Sequence, residues 1–178
     1  MATRLRSWFG PHRSQSANYA GHGRASSVTE FVSCRSVRDA SVGKTTKIER
    51  SEAASYLRKA MQFLAEADTA ATANRPDAAM LCAIHAAISA ADAVTIGLSQ
   101  LRSTDPNHAA AAELLRSAGR GAEEFEARAK QLSALIQKKN LVEYEGRGAR
   151  VSDAEDACKR ARRIVEWSAT TLKDSATR

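Results

Sequence analysis

Late in a predicted long helix the chain reads Lys139-Asn140-Leu141-Val142-Glu143-Tyr144, which gathers an ammonium, an amide, a carboxylate and a phenol in roughly two turns. The apolar stripe Phe125, Ala129, Leu132 and Ile136 continues, at the helical period, into Lys139, Asn140 and Glu143. Polar groups therefore follow the inward side of the helix. Two readings of this are open: the helix end projects past the core and these groups are solvated, or they line a polar pocket. A second wall for such a pocket is available in an earlier helix, where Leu81, Ile84, Ile88 and Ala91 define an apolar face and His85 and Asp92, seven residues apart, stand along its margin.

A further set of residues is cationic. Lys159, Arg160, Arg162 and Arg163 lie close together on a predicted helix, with Arg147 and Arg150 in the loop before it. Such a cluster either contacts phosphates without regard to sequence or is a solvated face partly paired with Asp156 and Glu166. Other chemistries find less support. Gly43-Lys44-Thr45 has the end of a phosphate-binding loop, but Arg38 stands where the first glycine is needed and no strand precedes it. The four histidines are dispersed and form no helical metal-binding pair, so neither a metal nor another cofactor is expected.

These residues need helices to position them. An apolar fraction of 43%, rich in alanine, with only 5% aromatics, suits close-packed helices better than sheets. Thr46-Lys47-Ile48-Glu49 has the form of a capping box and predicts a first helix, with Ala53, Leu57, Ala60, Leu64, Ala67 and Ala71 on one face, ending near Asn74. Pro76, tolerated in a first turn, opens a second helix to about Leu101. After the Asp105-Pro106-Asn107 turn, His108 to Ala118 form a short helix stopped by Gly119. A fourth runs from about Gly121 to Tyr144, and Ser152-Asp153-Ala154-Glu155 resembles a second capping box, opening a last helix with Ala157, Ala161, Ile164, Ser168 and Leu172 along one side. The expected fold is all-α, an antiparallel four-helix bundle with one extra short helix, over residues 46–178.

Residues 1–45 are rich in Ser, Arg and Gly without apolar periodicity and are expected to be a disordered basic tail. Residues 1–50 hold nine Lys/Arg against three Asp/Glu, whereas residues 51–178 hold eighteen against seventeen. The overall charge of +7 thus belongs mainly to the tail, and charge alone does not assign the helical part a nucleic-acid partner. A transit peptide, a nucleic-acid tether and a downstream start site are alternative readings of the tail. Cys34, Cys82 and Cys158 are odd in number and far apart, which suits a reducing compartment. No run of about 18 apolar residues is evident and the start lacks an export signal, so a cytoplasmic protein without membrane contact is expected.

Lys139, Asn140 and Tyr144, late in a long helix and followed by glycines and a basic last helix, resemble the HEPN motif: an Arg, a polar residue, three variable positions and a His. The likeness is greatest to small actinobacterial members in which Tyr stands for His, and it covers roughly residues 46–175. The resemblance implies a homodimer with the two motif helices facing one cleft and, in active members, a metal-independent ribonuclease. By that likeness Lys139 takes the place of the Arg that stabilises the phosphate, and Tyr144 that of the His that assists proton transfer. Lysine keeps the charge but loses the two-pronged guanidinium contact. Tyrosine, with a reference pKa near 10, is ionised in only about one part in a thousand at neutral pH. The expected function is an RNA- or nucleotide-binding or interaction module without efficient ribonuclease activity, with a toxin-antitoxin or defence pair with a nucleotidyltransferase-type partner as one setting the resemblance implies. An active ribonuclease using Lys139 with His85 or Tyr144, and a helical interaction scaffold without ligand, are the alternatives.

Overall fold

The computed structural model describes residues 43–139, 142 and 148–177. Its elements are strand β1 (Thr45–Lys47), a single 3-10 turn (Arg50–Glu52), helix α1 (Ala53–Thr72), helix α2 (Pro76–Ser99), strand β2 (Leu101–Ser103), and helices α3 (Ala109–Ala118), α4 (Glu123–Gln137) and α5 (Val151–Ala176). The all-α class holds, with β1 and β2 forming a small antiparallel ladder that pairs Thr45 with Ser103 and Lys47 with Leu101.

Helix α2 is the centre of the domain. Its residues from Ala86 to Ala91 are all buried, as are Val94, Thr95, Ile96 and Gly97, so neighbours enclose it on nearly every side. Alanines make this possible, because a methyl side chain lets helix axes approach closely while losing no side-chain rotamer entropy on burial. On α1 the buried face is Ala53, Ala60, Leu64, Ala67 and Ala70, and on α5 it is Ala154, Ala157, Ala161, Ile164, Val165 and Ser168 among others. Larger side chains fill the gaps: Met80, Ile84, Ile96, Leu115, Leu132, Leu135 and Ile164 are fully enclosed. Burying each of these contributes about 1.5–3 kcal/mol relative to exposure.

Short turns set the directions. Residues 73–75 join α1 to α2, with Arg75 N–H returning to the Ala70 carbonyl at 2.9 Å, so the two helices run antiparallel and the start of α1 lies beside the end of α2. The β1–β2 ladder closes that end. Gly119–Ala122 likewise turns α3 back into α4, bringing the end of α4 toward the start of α3.

Several sequence expectations need correction, among them the fourth helix, which ends at Gln137 and not near Tyr144. The Thr46–Glu49 capping box does not form, because Thr45–Lys47 pair with β2 and the helix begins at Ala53 without a side-chain cap. Strand pairing across the domain satisfies the same backbone groups, which a four-residue pattern cannot reveal. The Ser152–Glu155 box is also displaced: α5 starts at Val151, the Arg150 carbonyl receives the Asp153 and Ala154 N–H groups at 3.1 and 3.0 Å, and Asp77 Oδ1 accepts the Ala149 N–H at 2.6 Å. Gly148 is needed there, since a Cβ would stand 2.9 Å from Asp77 Oδ2. Finally, α2 is long and apolar enough to cross a membrane, with a window of mean hydropathy 1.7, although 72% of that window is buried inside the domain. Helix α2 also ends at Ser99, where Gln100 takes a left-handed conformation (φ 58°) and closes on the Ile96 carbonyl. The expected tail falls outside the described residues except at 43–45, of which Thr45 opens β1.

Candidate ligand-binding site

Beyond Gln100 the chain turns back along α2. As a result Arg102, Ser103, Thr104 and Asp105 of β2 and the following loop, with His108 and Ala111 at the start of α3, face Ile88 and Asp92 across a cavity of about 260 Å³. The α3–α4 turn carries the end of α4 to the same place, where Lys139 Nζ lies 3.1 Å from His108 Nε2. An ammonium only donates, so Nε2 accepts and the imidazole proton of this contact sits on Nδ1.

Arg102 is held from the other side. Its Nη1 donates to the Tyr56 hydroxyl at 2.9 Å, its guanidinium stands 5.8 Å from the Tyr56 ring centre, and its Nε donates to the Ser103 carbonyl at 3.3 Å. The loop is fixed by Asp105, whose Oδ1 accepts the Asn107 N–H at 2.8 Å, and Asn107 Oδ1 takes the Ala109 N–H at 3.1 Å at the start of α3. These polar turns give His108 its position.

Asp92 opens onto the cavity and is otherwise enclosed. Burial pushes its carboxyl up to about 7, against the opposing pull of the nearby Arg102 and Lys59 cations. No hydrogen bond to that carboxyl is present among the described residues. A carboxyl that titrates near neutrality beside an imidazole and two cations has the makings of an anion site and of a proton-transfer pair.

The residues singled out from the sequence divide in three. Asp92 lines this cavity, and Lys139 contacts His108, one of its lining residues. His85 does not line it: one turn before Ile88, its ring stacks on Phe63 of α1 at 5.4 Å between centres and 28° between planes. Asn140, Glu143, Tyr144 and Arg147 lie outside the described residues. The basic set is elsewhere and largely paired. Arg162 Nη2 donates to both carboxylate oxygens of Asp68 at 2.8 and 2.6 Å, Arg160 Nε donates to Asp156 Oδ2 at 2.8 Å, and Lys138 stands 3.7 Å from the same carboxylate. Lys159, Arg163 and Arg150 are exposed.

Sequence reasoning missed Arg102, His108 and Tyr56. A usable signal existed for His108: a short helix turning back into a longer one must bring its own start toward the longer helix's later turns, where Lys139 is. Arg102 carried none, because its role depends on a strand pairing of three residues. Another cavity, of about 410 Å³, is lined by Arg50, Leu98, Glu124, Phe125, Asp174 and neighbours.

Comparison with curated proteins and with solved structures gives no match. A family model for the HEPN domain matches residues 53–172, from the first residue of α1 to the last turns of α5. With the match covering both walls of the cavity and more than half of its length, the chain belongs to the HEPN domain family.

Proposed function

We propose that the domain binds RNA or a nucleotide through a phosphate held at the cavity between α2, β2 and the start of α3. The observation that carries this reading is that Arg102, His108 and Asp92 line one cavity, with Lys139 Nζ 3.1 Å from His108 Nε2. Lys139 offers three ammonium donors, and a phosphate oxygen arriving at Nζ displaces or bridges the His108 contact. Arg102, already fixed by Tyr56, adds a planar donor group at little entropic cost. Proton transfer by Tyr144 is inefficient for the reason given by its reference pKa, so the module is proposed to bind without efficient cleavage. Pairing with a second copy or with a nucleotidyltransferase-type protein, as in toxin-antitoxin or defence systems, is part of the same proposal, and its support is family membership.

A second reading is supported by one feature, the Asp92 carboxyl at about 7 in the same cavity as His108. In a metal-independent cleavage the neutral imidazole would accept the proton of a 2′-hydroxyl as it attacks phosphorus, and the Asp92 acid would protonate the departing 5′-oxygen. A time course of labelled single-stranded RNA in EDTA, with binding read from the same samples, separates the two. Binding without cleavage, lost in Lys139→Ala, supports the module. Cleavage that survives the chelator and disappears in both His108→Asn and Asp92→Asn establishes the enzyme instead. Failure of the wild-type chain to bind or cleave would refute both.

A further inference from the structure

Resting on the reading above, we infer that Asp92, in its acid form, is itself a ligand of the bound phosphate, so that occupying the cavity draws a proton onto this carboxyl. Asp92 shares one cavity of about 260 Å³ with Arg102, Asp105 and His108. A sphere of that volume has a radius of about 4 Å, a separation at which two like charges repel strongly even when solvent screens them in part. A phosphodiester in this space and an ionised Asp92 oppose one another. The acid instead offers its O–H to a phosphate oxygen, a short charge-assisted hydrogen bond.

The groups around Asp92 come from four segments. Lys59 of α1 and Arg102 of β2 act on its carboxyl by charge alone: Arg102 directs its Nη1 to the Tyr56 hydroxyl and its Nε to the Ser103 carbonyl, and Lys59 Nζ stands 5.8 Å from the Phe63 ring centre. Asp105, in the loop after β2, is the second carboxylate of the lining, and its Oδ1 and Oδ2 accept the N–H groups of Asn107 and Lys44 at 2.8 and 3.4 Å. His108, at the start of α3, has Lys139 Nζ 3.1 Å from its Nε2. Asp105 thus meets backbone donors, whereas Asp92 faces the occupant. Burial works in the same direction, since it already lifts the Asp92 carboxyl to about 7, and a phosphate beside it lifts it further. Below that value the free chain holds the proton and binding is indifferent to it. Above it the proton must be recovered from solution, so each pH unit weakens binding by up to about tenfold.

The test uses the full chain and a short 2′-O-methyl oligouridylate, which has no 2′-hydroxyl to attack its own backbone and whose phosphodiesters do not titrate near neutrality. Wild type is expected to bind it roughly tenfold more weakly at pH 8 than at pH 6, and calorimetry at pH 8 in two buffers of different ionisation enthalpy is expected to show uptake approaching one proton per bound chain. Asp92→Asn, which keeps the shape and a donor group without the charge, is expected to bind at pH 8 about as tightly as wild type at pH 6, with the uptake gone. His108→Gln is the control, because an imidazole also titrates near neutrality and its protonation favours an anion in the same sense. That variant is expected to retain the uptake. Equal wild-type affinity at the two pH values, or a pH slope that survives in Asp92→Asn and vanishes in His108→Gln, overturns the inference. If Lys139→Ala still weakens binding in that case, the cavity reading stands without the proton. If neither Lys139→Ala nor Asp92→Asn changes binding at either pH, the cavity reading falls as well.

Discussion

Asp92 and Asp156 are both aspartates beside an arginine, and their surroundings drive them in opposite directions. On the exposed face of α5, the hydrogen bond from Arg160 holds the Asp156 carboxyl below its ordinary value. In the cavity, burial outweighs the pull of Arg102 and Lys59 and lifts Asp92 to about 7. The two regions also differ in what holds their arginines: Arg160 and Arg162 donate to carboxylates, whereas Arg102 donates to a phenol and to a backbone carbonyl. A count of basic residues points to α5. Burial and partner chemistry point to the cavity.

The largest expected effect concerns Asp92 itself. Between the ordinary carboxylate value of 3.8 and about 7 the folded chain holds a proton that the unfolded chain has released, so this group's contribution to stability falls as pH rises through that window and is flat above it. The span corresponds to a few kcal/mol, on the order of 4 as an upper bound. Asp92→Asn, which has no carboxyl to ionise, is expected to be more stable than wild type at pH 8 and to lose most of this slope, read from urea unfolding at several pH values. An unchanged slope would mean that the carboxyl is solvated like Asp156. Next in size, Lys139→Ala is expected to weaken RNA binding roughly tenfold or more, the scale of a charge-assisted hydrogen bond.

Smaller effects belong to α5. Arg162→Gln, breaking the pair with Asp68, is expected to cost at most about 1 kcal/mol, since both side chains are nearly half exposed. Arg160→Gln is expected to change stability by only a few tenths of a kcal/mol. Its pair contributes above the ordinary carboxylate value and fades as pH falls through the lowered Asp156 value, the opposite sense to Asp92.

Much of the helical framework was readable because it rests on local periodicity. The α3 stop at Gly119, the Pro76 opening of α2 and the Leu132 and Ile164 stripes all appear in the structure. What local patterns misjudged was decided at a distance: β1 pairs with residues more than fifty positions away, and α5 takes its start from Asp77 of α2. The site was legible in part for the same reason. Lys139 and Asp92 stood out by their place on helical faces, but the cavity beside Asp92 is completed by Arg102 and by His108, the residue Lys139 contacts, contributed by a loop whose course follows from the ladder. His85 shared a helix margin with Asp92 and was grouped with it. One turn of helix and the ring of Phe63 send it to a different contact.

The most direct test of the account is the affinity of a single-stranded RNA, measured in EDTA at two salt concentrations, for the wild-type chain, Lys139→Ala and Arg163→Ala. The cavity account predicts a loss of roughly tenfold or more for Lys139→Ala at both salts, and for the exposed α5 cation a smaller loss that shrinks as salt rises. Equal losses for the two variants, or a loss confined to Arg163→Ala, would contradict it and place the RNA on the basic face of α5.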